Sequence, residues 1–368
     1  MRALCLALAA VLAAPGALAQ QVLFPGQSGD ALRESLRQRF KPSSGQLRSS
    51  GDTKDLMMFP IWTVDEGSGI GVQDVYTGWF VPFDNDPPGN ANQEVFNGGA
   101  ASGLNQEHVW PRSRIADGGA RPSGCDAAAE CDLHHLFPAR VDVNSDRGSL
   151  PFAEIDDAQT TRWYTDGVET STAPTDDRDA YSELRSGVAF EPRESVEGDV
   201  ARAMFYVATM YPEAADLAWF SSQERDLFDW HRADPADDAE TERTQAIAGY
   251  QGGTDRENPF VLDSTLVRRA FFPDITVTDA ERAPAALSLR LGPTPARGDV
   301  TVTLDVPTAD RARIEVFDVR GRRVALLHDG RAPAGPLALR VGAGLRPGVY
   351  LVRAVTGGTV ATRTFVRL

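Results

Sequence analysis

A glutamate and a histidine lie side by side in the segment LNQEHVWPRS, residues 104–113, and both side chains can do chemistry. A neutral histidine takes a proton from water, and a carboxylate binds a metal ion. Neighbouring strand residues point to opposite faces, so Glu107 and His108 can share a reaction only outside an ordinary strand interior. Trp110 and Pro111 follow, and because proline lacks an N–H and restricts the residue before it, we expect the strand to end at or just after His108.

Further polar residues follow in CDLHHLFPARVDVNSDRGSLPF, residues 131–152. A helix start is expected near Pro138. Asn144 and Arg147 are three positions apart, so they share a helical face. With the glutamate–histidine pair they combine a carboxylate, an amide, an imidazole and a guanidinium. This set suits phosphoryl transfer to water: oxygen ligands bind Mg²⁺, histidine takes the proton, and arginine neutralises the phosphate.

Five segments carry a resemblance to a known family. They are NQEHVWPRS, DLHHLFP, VNSDR, GDVARAMFY and WHRADP…QGGTDRENPF, and they occur in this order over roughly residues 55–270. Through them the chain resembles the secreted endonuclease I family, which has a ββα-metal active site. The resemblance implies an α+β fold, with a ββα-metal nuclease core and surrounding helices.

The resemblance also implies roles for individual residues. His108 would be the general base, and Glu107 and Asn144 would bind a single Mg²⁺ ion, with Mn²⁺ or Ca²⁺ as alternatives. The substrate would be DNA, and RNA in addition, cleaved without sequence preference to 5′-phosphate products. The alternatives are a phosphodiesterase with another substrate and a non-catalytic surface or adhesive protein on a nuclease-like scaffold. The joint presence of the three residues favours the nuclease.

The arginine that contacts the phosphate is expected between the glutamate–histidine pair and DLHHLFP. Arg112, Arg114 and Arg121 all lie in that window, and their spacing does not choose among them. Arg114 is favoured. Arg147 is a further candidate, which either contacts the phosphate or pairs with a carboxylate within the fold.

The first twenty residues, MRALCLALAAVLAAPGALAQ, have the pattern of a secretion signal, with residues 1–19 removed. Their apolar stretch is too short to span a bilayer, and no later segment is long or apolar enough. We therefore expect an exported monomer, secreted or at the cell surface, without stable membrane insertion.

The mature chain keeps Cys125 and Cys131, six positions apart. In an exported chain this pair favours a disulfide, although zinc bound by both cysteines and His134 is an alternative. One of His134 and His135 is expected to be structural, and neither is assigned to catalysis. Asp132 either orients an imidazole or faces solvent.

Charge is spread unevenly along the chain. The net charge is −15, and residues 285–368 carry 13 Arg against 6 Asp or Glu, a charge of +7, which leaves −22 on residues 1–284. This negative body argues against binding nucleic acid through bulk charge, but not against a local site with a metal ion and a few arginines. The division predicts two bodies. The predicted parts are an N-terminal polar segment (20–55), a catalytic domain (56–275), a linker (276–286) and a C-terminal domain (287–368).

Apolar spacing predicts a short amphipathic helix at residues 31–40, a second at GDVARAMFY, and further helices interrupted at Pro235. Residues 56–64 and 72–83 are rich in aromatic and β-branched residues and predict strands.

The C-terminal part has a different pattern of apolar residues. DVTVTLDV at residues 299–306 alternates strictly, and two strand pairs follow, so a small all-β sandwich is predicted. Residues 287–368 are similar to the C-terminal sorting domains of type IX secretion, which implies the type IX secretion machinery as a partner. An accessory β-sandwich that binds a surface is the alternative.

Overall fold

The computed structural model describes most of the chain beyond its N-terminus. The described residues are 22–66, 69–96, 103–175, 177–275, 288–292, 296, 298–306, 310–318, 322–332, 335–342, 344–356 and 359–368. The chain divides into two compact units, Met1–Pro273 and Asp274–Leu368. The predicted secretion signal and the predicted linker lie outside the described residues.

Helices surround a buried central helix in the first unit. The helices are α1 (Gly29–Phe40), α2 (Ser50–Leu56), α3 (Ala91–Val95), α4 (Val141–Arg147), α5 (Glu197–Met210), α6 (Leu217–Ser221), α7 (Glu224–Ala233), α8 (Asp238–Tyr250), α9 (Pro259–Leu262) and α10 (Leu266–Phe271). The helix predicted at GDVARAMFY is confirmed as α5, but it is buried at almost every position, including the charged Glu197 and Arg202, rather than on one face only. The helix predicted at residues 31–40 is confirmed as α1, which buries Leu32, Leu36 and Phe40. The interruption at Pro235 is also confirmed, since it separates α7 from α8.

The strands of the first unit form small antiparallel sheets. They are β1 (Thr63–Asp65), β2 (Ile70–Gln73) and β3 (Phe80–Pro82) in one sheet, β4 (Leu104–His108) and β5 (Leu136–Arg140) in another, and β6 (Arg162–Thr165), β7 (Val168–Thr170), β8 (Ser182–Arg185) and β9 (Ala189–Glu191) in a third. The sheet of β4 and β5 carries the glutamate–histidine pair. Its register places Glu107 opposite Phe137 and His108 opposite Leu136. Strand β5 runs directly into α4, which begins three residues later than predicted because Pro138 lies within the strand.

The strand predicted at residues 56–64 is wrong over most of its length. Helix α2 is followed by a π-helical turn at Met57–Ile61, kinked at Phe59, whose backbone is extended (φ −146°, ψ 123°), and the strand in the predicted span is β1. The period of a short apolar run does not distinguish a strand from a buried helix. Here Met57, Met58 and Ile61 are buried in one hydrophobic cluster and Pro60 is exposed, so buried and exposed positions do not alternate as they do in a half-buried strand.

The strand predicted at residues 72–83 is two strands and a turn. The carboxylate of Asp74 accepts hydrogen bonds from the backbone N–H groups of Tyr76 and Thr77, at 3.1 and 2.9 Å. An aspartate bonded in this way favours a turn. The chain therefore reverses, and β3 pairs with β2 in antiparallel order.

The second unit is all β within its described residues. Its strands are β10 (Ser288–Leu291), β11 (Val300–Val306), β12 (Asp310–Asp318), β13 (Arg323–Ala332), β14 (Gly335–Val341), β15 (Gly348–Thr356) and β16 (Thr359–Arg367). They form two antiparallel sheets, in the orders β10-β11-β14 and β13-β12-β15-β16. Alternate residues of β11 share one hydrophobic core with residues of the other sheet, such as Ile314 and Val352. The α+β class and an all-β C-terminal region are thereby confirmed. Among the described residues, no helix is both long and apolar enough to cross a membrane.

Candidate active site

The glutamate–histidine pair lies at the C-terminal end of β4. The strand ends at His108, as predicted. Trp110 then enters the core, where it is fully buried, and Pro111 precedes a 3₁₀ turn at Arg112–Arg114. Glu107 and His108 thus occupy the last two positions of the strand, where the backbone leaves the sheet.

Glu107 is buried, and its carboxylate is held from two directions. Its Oε1 atom accepts hydrogen bonds from the hydroxyl of Tyr76 at 2.7 Å and from Nη1 of Arg147 at 3.0 Å. Burial raises the pKa of Glu107, and the positive charge of Arg147 and the hydrogen bond from Tyr76 partly offset this effect. These two partners fix the direction of the side chain.

Tyr76 is a site residue that the sequence did not reveal. Burial, and then the charge of Glu107, raise the pKa of Tyr76 well above its ordinary value, so the phenol keeps its proton and donates it. Tyr76 lies in the turn between β2 and β3, 31 positions before Glu107. The turn residues around Asp74 could have indicated the turn, but no local signal indicates the partner.

Arg147 binds the carboxylate rather than solvent. Its guanidinium is fully buried, and it donates to Glu107 and also to the backbone carbonyls of His108 and Val109, at 3.2 and 2.6 Å. The group also lies over the ring of Phe152, 4.4 Å from its centroid. Of the two roles left open by the sequence, the structure shows pairing with a carboxylate.

Asn144 lies on the same helix and contacts the same strand. Its Nδ2 atom donates to Oδ1 of Asn105 at 2.8 Å and, at 3.4 Å, to the carbonyl oxygen of Gln106. A carbonyl only accepts, so these contacts identify the NH₂ group of the amide. Helix α4 therefore places Asn144 beside Asn105 and Arg147 beside Glu107, at alternate positions of β4.

His108 is half-buried, and one ring nitrogen is bound to the backbone. Its Nε2 atom lies 3.1 Å from the carbonyl oxygen of Glu130, and its ring is edge-on to that of His135, with centroids 5.5 Å apart. Burial, and then the neighbouring His135, lower the pKa of His108 to about 3. The ring is therefore neutral at neutral pH, with Nε2 protonated towards the carbonyl and Nδ1 unprotonated.

The loop that supplies this carbonyl is closed by a disulfide between Cys125 and Cys131, as predicted. Both thiols are consumed by the bond, so the zinc alternative is wrong. Glu130 lies within the loop, and its carboxylate accepts from the backbone N–H of Asp126 at 2.8 Å. Arg112 pairs with Asp126 and Glu130, at 3.2 and 3.4 Å.

The three candidate arginines lie in different surroundings. Arg114 pairs with Asp216 at 3.1 Å and lies over the ring of Trp219. Arg121 donates to the carbonyl oxygen of Asp126 at 2.6 Å. Arg112 shares Glu130 with His108, and its positive charge contributes to the lowered pKa of that histidine. Arg112 is the candidate that the structure associates with His108.

The two neighbouring histidines are buried and bound to backbone carbonyls. Nε2 of His134 lies 2.6 Å from the carbonyl oxygen of Arg256, and Nε2 of His135 lies 2.7 Å from that of Ala129. Burial lowers the pKa of both residues. His134 is therefore structural, whereas His135 also contacts the ring of His108.

Asp132 is buried and does not face solvent. Its carboxylate accepts hydrogen bonds from the hydroxyls of Tyr206 and Tyr211, at 2.9 and 2.6 Å, and from Nε2 of Gln251 at 3.0 Å. The network ties the DLHHLFP segment to α5 and to the end of α8. Asp132 therefore orients two tyrosines, and not an imidazole as in one of the two roles that the sequence suggested.

Residues 71–265 match the endonuclease I family. The chain belongs to this family. The match covers β4, β5, α4 and the disulfide loop, and so includes every candidate site residue. Family membership confirms the resemblance that the five segments carry.

Similar proteins are named as extracellular or periplasmic nucleases. The chain is 33% identical over 178 residues to an extracellular ribonuclease of Bacillus subtilis (strain 168), covering 45% of this chain and 53% of that protein. It is 30% identical over 176 residues to an extracellular deoxyribonuclease of Aeromonas hydrophila, covering 44% and 66%. A periplasmic deoxyribonuclease of the same organism is 31% identical over 178 residues, covering 44% and 64%. This endonuclease I family member thus spans about half the length of the Bacillus relative.

Proposed function

We propose that the chain is a secreted, metal-dependent endonuclease that hydrolyses DNA, and also RNA, without sequence preference. The observation that carries the proposal is the packing of α4 against β4. Asn144 of α4 donates hydrogen bonds to β4, the strand that ends in Glu107 and His108. Membership of the endonuclease I family and the nuclease names of the relatives support the same reaction class.

The metal would be bound by Glu107 and Asn144 in a ββα-metal arrangement of β4, β5 and α4. The residues fit a hard cation. Nδ2 of Asn144 donates to acceptors on β4, so the amide oxygen Oδ1 is the atom that would bind the ion. The side-chain hydrogen bonds from Tyr76 and Arg147 to Glu107 both end on Oε1. Oxygen ligands of this kind suit Mg²⁺, and also Mn²⁺ or Ca²⁺. When bound, the ion supplies positive charge to the phosphate oxygens and to the leaving oxygen.

His108 is the proposed general base. Its Nδ1 atom accepts a proton from the attacking water, because Nε2 is engaged by the carbonyl of Glu130. The water oxygen forms a bond to phosphorus and the bond from phosphorus to O3′ breaks. The leaving O3′ takes a proton from solvent, so the products are a 5′-phosphate and a 3′-hydroxyl, and His108 returns its proton to solvent. Burial keeps the imidazole neutral before the reaction, so the lone pair of Nδ1 is free, and the same lowering of the pKa makes His108 a weaker base than a solvent-exposed histidine.

The phosphate contact is assigned to Arg112, with Arg114 and Arg121 as the other candidates. Arg112 is 56% exposed on its side chain and pairs with Glu130, whose backbone carbonyl binds His108. The guanidinium of Arg114 is instead directed at Asp216 and Trp219. An exposed guanidinium beside the base can neutralise a phosphate as it reacts.

Plasmid cleavage tests this proposal. Excess chelator should abolish nicking, and added Mg²⁺ should restore it. His108→Ala should lower the rate by about 10²–10⁴-fold, the usual contribution of a general base. His328→Ala is the matched control, since Nε2 of His328 is also bound to a backbone carbonyl, 2.9 Å away, but in the second unit. Cleavage that continues at full rate in chelator or with His108→Ala would overturn the proposal.

End analysis and substrate choice test the product and the substrate class. Products with a 5′-phosphate are labelled by a polynucleotide kinase only after treatment with a phosphatase. Parallel assays on double-stranded DNA, single-stranded DNA and RNA of mixed sequence measure the preference. Fragments that carry a 3′-phosphate would contradict the direction of bond cleavage.

The second unit is proposed to direct export through the type IX secretion machinery. Its all-β fold and its separation from the first unit support a role outside the nuclease reaction. Deletion of residues 288–368 should leave plasmid cleavage intact and stop delivery to the surface of a host that has this machinery. Unchanged delivery would favour an accessory domain instead.

A further inference from the structure

Three glutamates that are not among the candidate active-site residues meet in the first unit. Glu154 lies in the loop before β6, Glu191 ends β9, and Glu197 begins α5. One carboxylate oxygen from each lies within 4.8 Å of the others. Three segments of the chain thus bring three carboxyl groups together.

Two of these carboxylates are buried without adequate partners. Glu197 is 4% exposed, and its Oε1 atom is buried without a hydrogen-bond partner. Glu191 is 8% exposed, and it accepts a hydrogen bond from the backbone N–H of Ile155. Glu154 is exposed, and its Oε2 atom accepts from the indole Nε1 of Trp230 at 3.1 Å. A buried carboxylate is costly unless a positive group pairs with it.

Among the described residues, no Lys or Arg side chain forms an ion pair with these three glutamates. None of the ion pairs found there includes Glu154, Glu191 or Glu197. Burial, followed by the charge of neighbouring glutamates, raises the pKa of Glu191 to about 9 and that of Glu197 to about 10. The protein by itself therefore does not stabilise three ionised groups here.

The other acidic cluster of the first unit differs in this respect. Asp117, Asp126 and Glu130 also bring their oxygens within 4.8 Å of one another. Arg112 pairs with two of them, and Arg121 donates to the backbone of Asp126. That cluster has its own positive charge and serves as a comparison.

We propose that Glu154, Glu191 and Glu197 bind one Ca²⁺ ion, at a site separate from Glu107 and Asn144. Carboxylates are hard oxygen ligands, and three of them offer up to six oxygens, within the range of ligands that Ca²⁺ takes. Oxygens on opposite sides of a Ca²⁺ ion lie roughly 4.6–5.2 Å apart, against about 4.2 Å for Mg²⁺. The three oxygens all lie within 4.8 Å of one another, close enough to contact one ion, and the number of carboxylate oxygens favours Ca²⁺.

The ion would connect the loop before β6, the end of β9 and the start of α5. Phe190, next to Glu191, packs against Tyr76 with ring centroids 4.8 Å apart, and Tyr76 donates to Glu107. Phe190 also packs against Phe152, whose ring lies under Arg147. The proposed Ca²⁺ site is therefore structural, and it stabilises the aromatic residues behind the catalytic carboxylate.

Thermal unfolding of the full mature chain tests the site. All variants carry Asn144→Ala, so that a metal ion at the candidate active site does not contribute. After removal of metal with chelator, Ca²⁺ at about 100 times its Kd should raise Tm by roughly 5–10 °C. Glu197→Gln and the exposed variant Glu154→Gln should each lose this shift. Asp117→Asn, in the comparison cluster, should retain it.

The apo state gives an independent readout. In chelator, Glu197→Gln should unfold at a higher temperature than its parent, because the glutamine no longer has to take up a proton when the chain folds and buries this side chain. In the presence of Ca²⁺ the parent should instead unfold at the higher temperature. A proton shared between the glutamates would instead give the same order with and without Ca²⁺, and that result would overturn the proposal. So would a Ca²⁺-dependent shift that persists in both glutamine variants.

Terbium luminescence locates the ion. Tb³⁺ replaces Ca²⁺ at oxygen sites, and its emission is sensitised by a nearby indole. Because Trp230 donates to Glu154, Tb³⁺ bound there should emit on tryptophan excitation, and Ca²⁺ should compete. Trp230→Phe should remove most of the emission and keep the Ca²⁺-dependent rise in Tm. Emission that survives both Trp230→Phe and Glu154→Gln would place the ion elsewhere and overturn the proposal.

Discussion

Nε2 of His108 lies 3.1 Å from the carbonyl oxygen of Glu130, the residue that precedes Cys131 of the disulfide. The carbonyl determines which nitrogen carries the hydrogen, and the disulfide limits how far that carbonyl can move. A surface loop without any catalytic side chain of its own therefore sets the tautomer and the direction of the proposed base.

Removal of the disulfide should impair catalysis more than it impairs folding. The paired change Cys125→Ser with Cys131→Ser opens a small loop, so we expect a loss of about 2 kcal/mol in the free energy of unfolding. We expect kcat to fall about tenfold or more, because the carbonyl of Glu130 loses its position. Steady-state cleavage rates and urea unfolding at the same temperature measure the two effects. A fully active double variant would show that the loop does not position His108.

Loss of Arg147 should destabilise the fold strongly. Arg147→Met leaves the carboxylate of Glu107 buried without its charged partner, so the free energy of unfolding should fall by about 3–5 kcal/mol. Addition of Glu107→Gln should recover about 1–2 kcal/mol, because the uncompensated charge is removed. Urea unfolding measures both changes.

Arg162→Met is the control for that cycle. Arg162 is 44% exposed, and its pairs with Asp146 and Glu169 lie in solvent, so its loss should cost less than about 1 kcal/mol. Equal losses for Arg147→Met and Arg162→Met would contradict the buried ion pair.

Substitution of each arginine should identify the phosphate contact. Arg112→Ala should lower kcat/KM by about 10²-fold, as expected for the loss of a group that stabilises charge in the transition state. Arg114→Ala and Arg121→Ala should change it by less than about threefold, since Arg114 pairs with Asp216 and Arg121 donates to Asp126, and neither contact involves Glu130, whose carbonyl binds His108. Cleavage of a short duplex over a range of substrate concentrations separates kcat from KM. A larger effect from Arg114→Ala would return the assignment to that residue.

Stability should depend on pH through His231. Burial lowers the pKa of His231 from 6.5 to about 4, and Nε2 is bound to the carbonyl oxygen of Ser264, at 2.9 Å. Between pH 6.5 and 4 the unfolded chain therefore binds a proton at His231 that the folded chain does not. Proton binding stabilises the unfolded chain, so the free energy of unfolding decreases as pH falls from 6.5 towards 4.

His231→Gln removes this titration and tests the prediction. The stability of the wild type relative to the variant should fall by up to about 1.4 kcal/mol per pH unit over that window. Asp234, whose pKa burial raises to about 6, titrates in both proteins and cancels in the difference. Urea unfolding at several pH values measures it, and parallel curves would contradict the assignment.

The sequence alone determined the features that depend on near neighbours in the chain. Proline at position 111 indicated where β4 ends, the three-residue spacing placed Asn144 and Arg147 on one helix, and two nearby cysteines indicated the disulfide. Each signal lies within a few residues, because backbone restriction and helical period are local properties.

Only the tertiary structure decided which groups are partners. The hydroxyl of Tyr76 on Glu107, the carbonyl of Glu130 on His108 and the meeting of Glu191 with Glu197 have no local signature. A backbone carbonyl belongs to every residue type, so no letter of the sequence marks the one that binds the base. Contacts between distant segments arise when the core packs, and packing depends on all of those segments together rather than on any one of them.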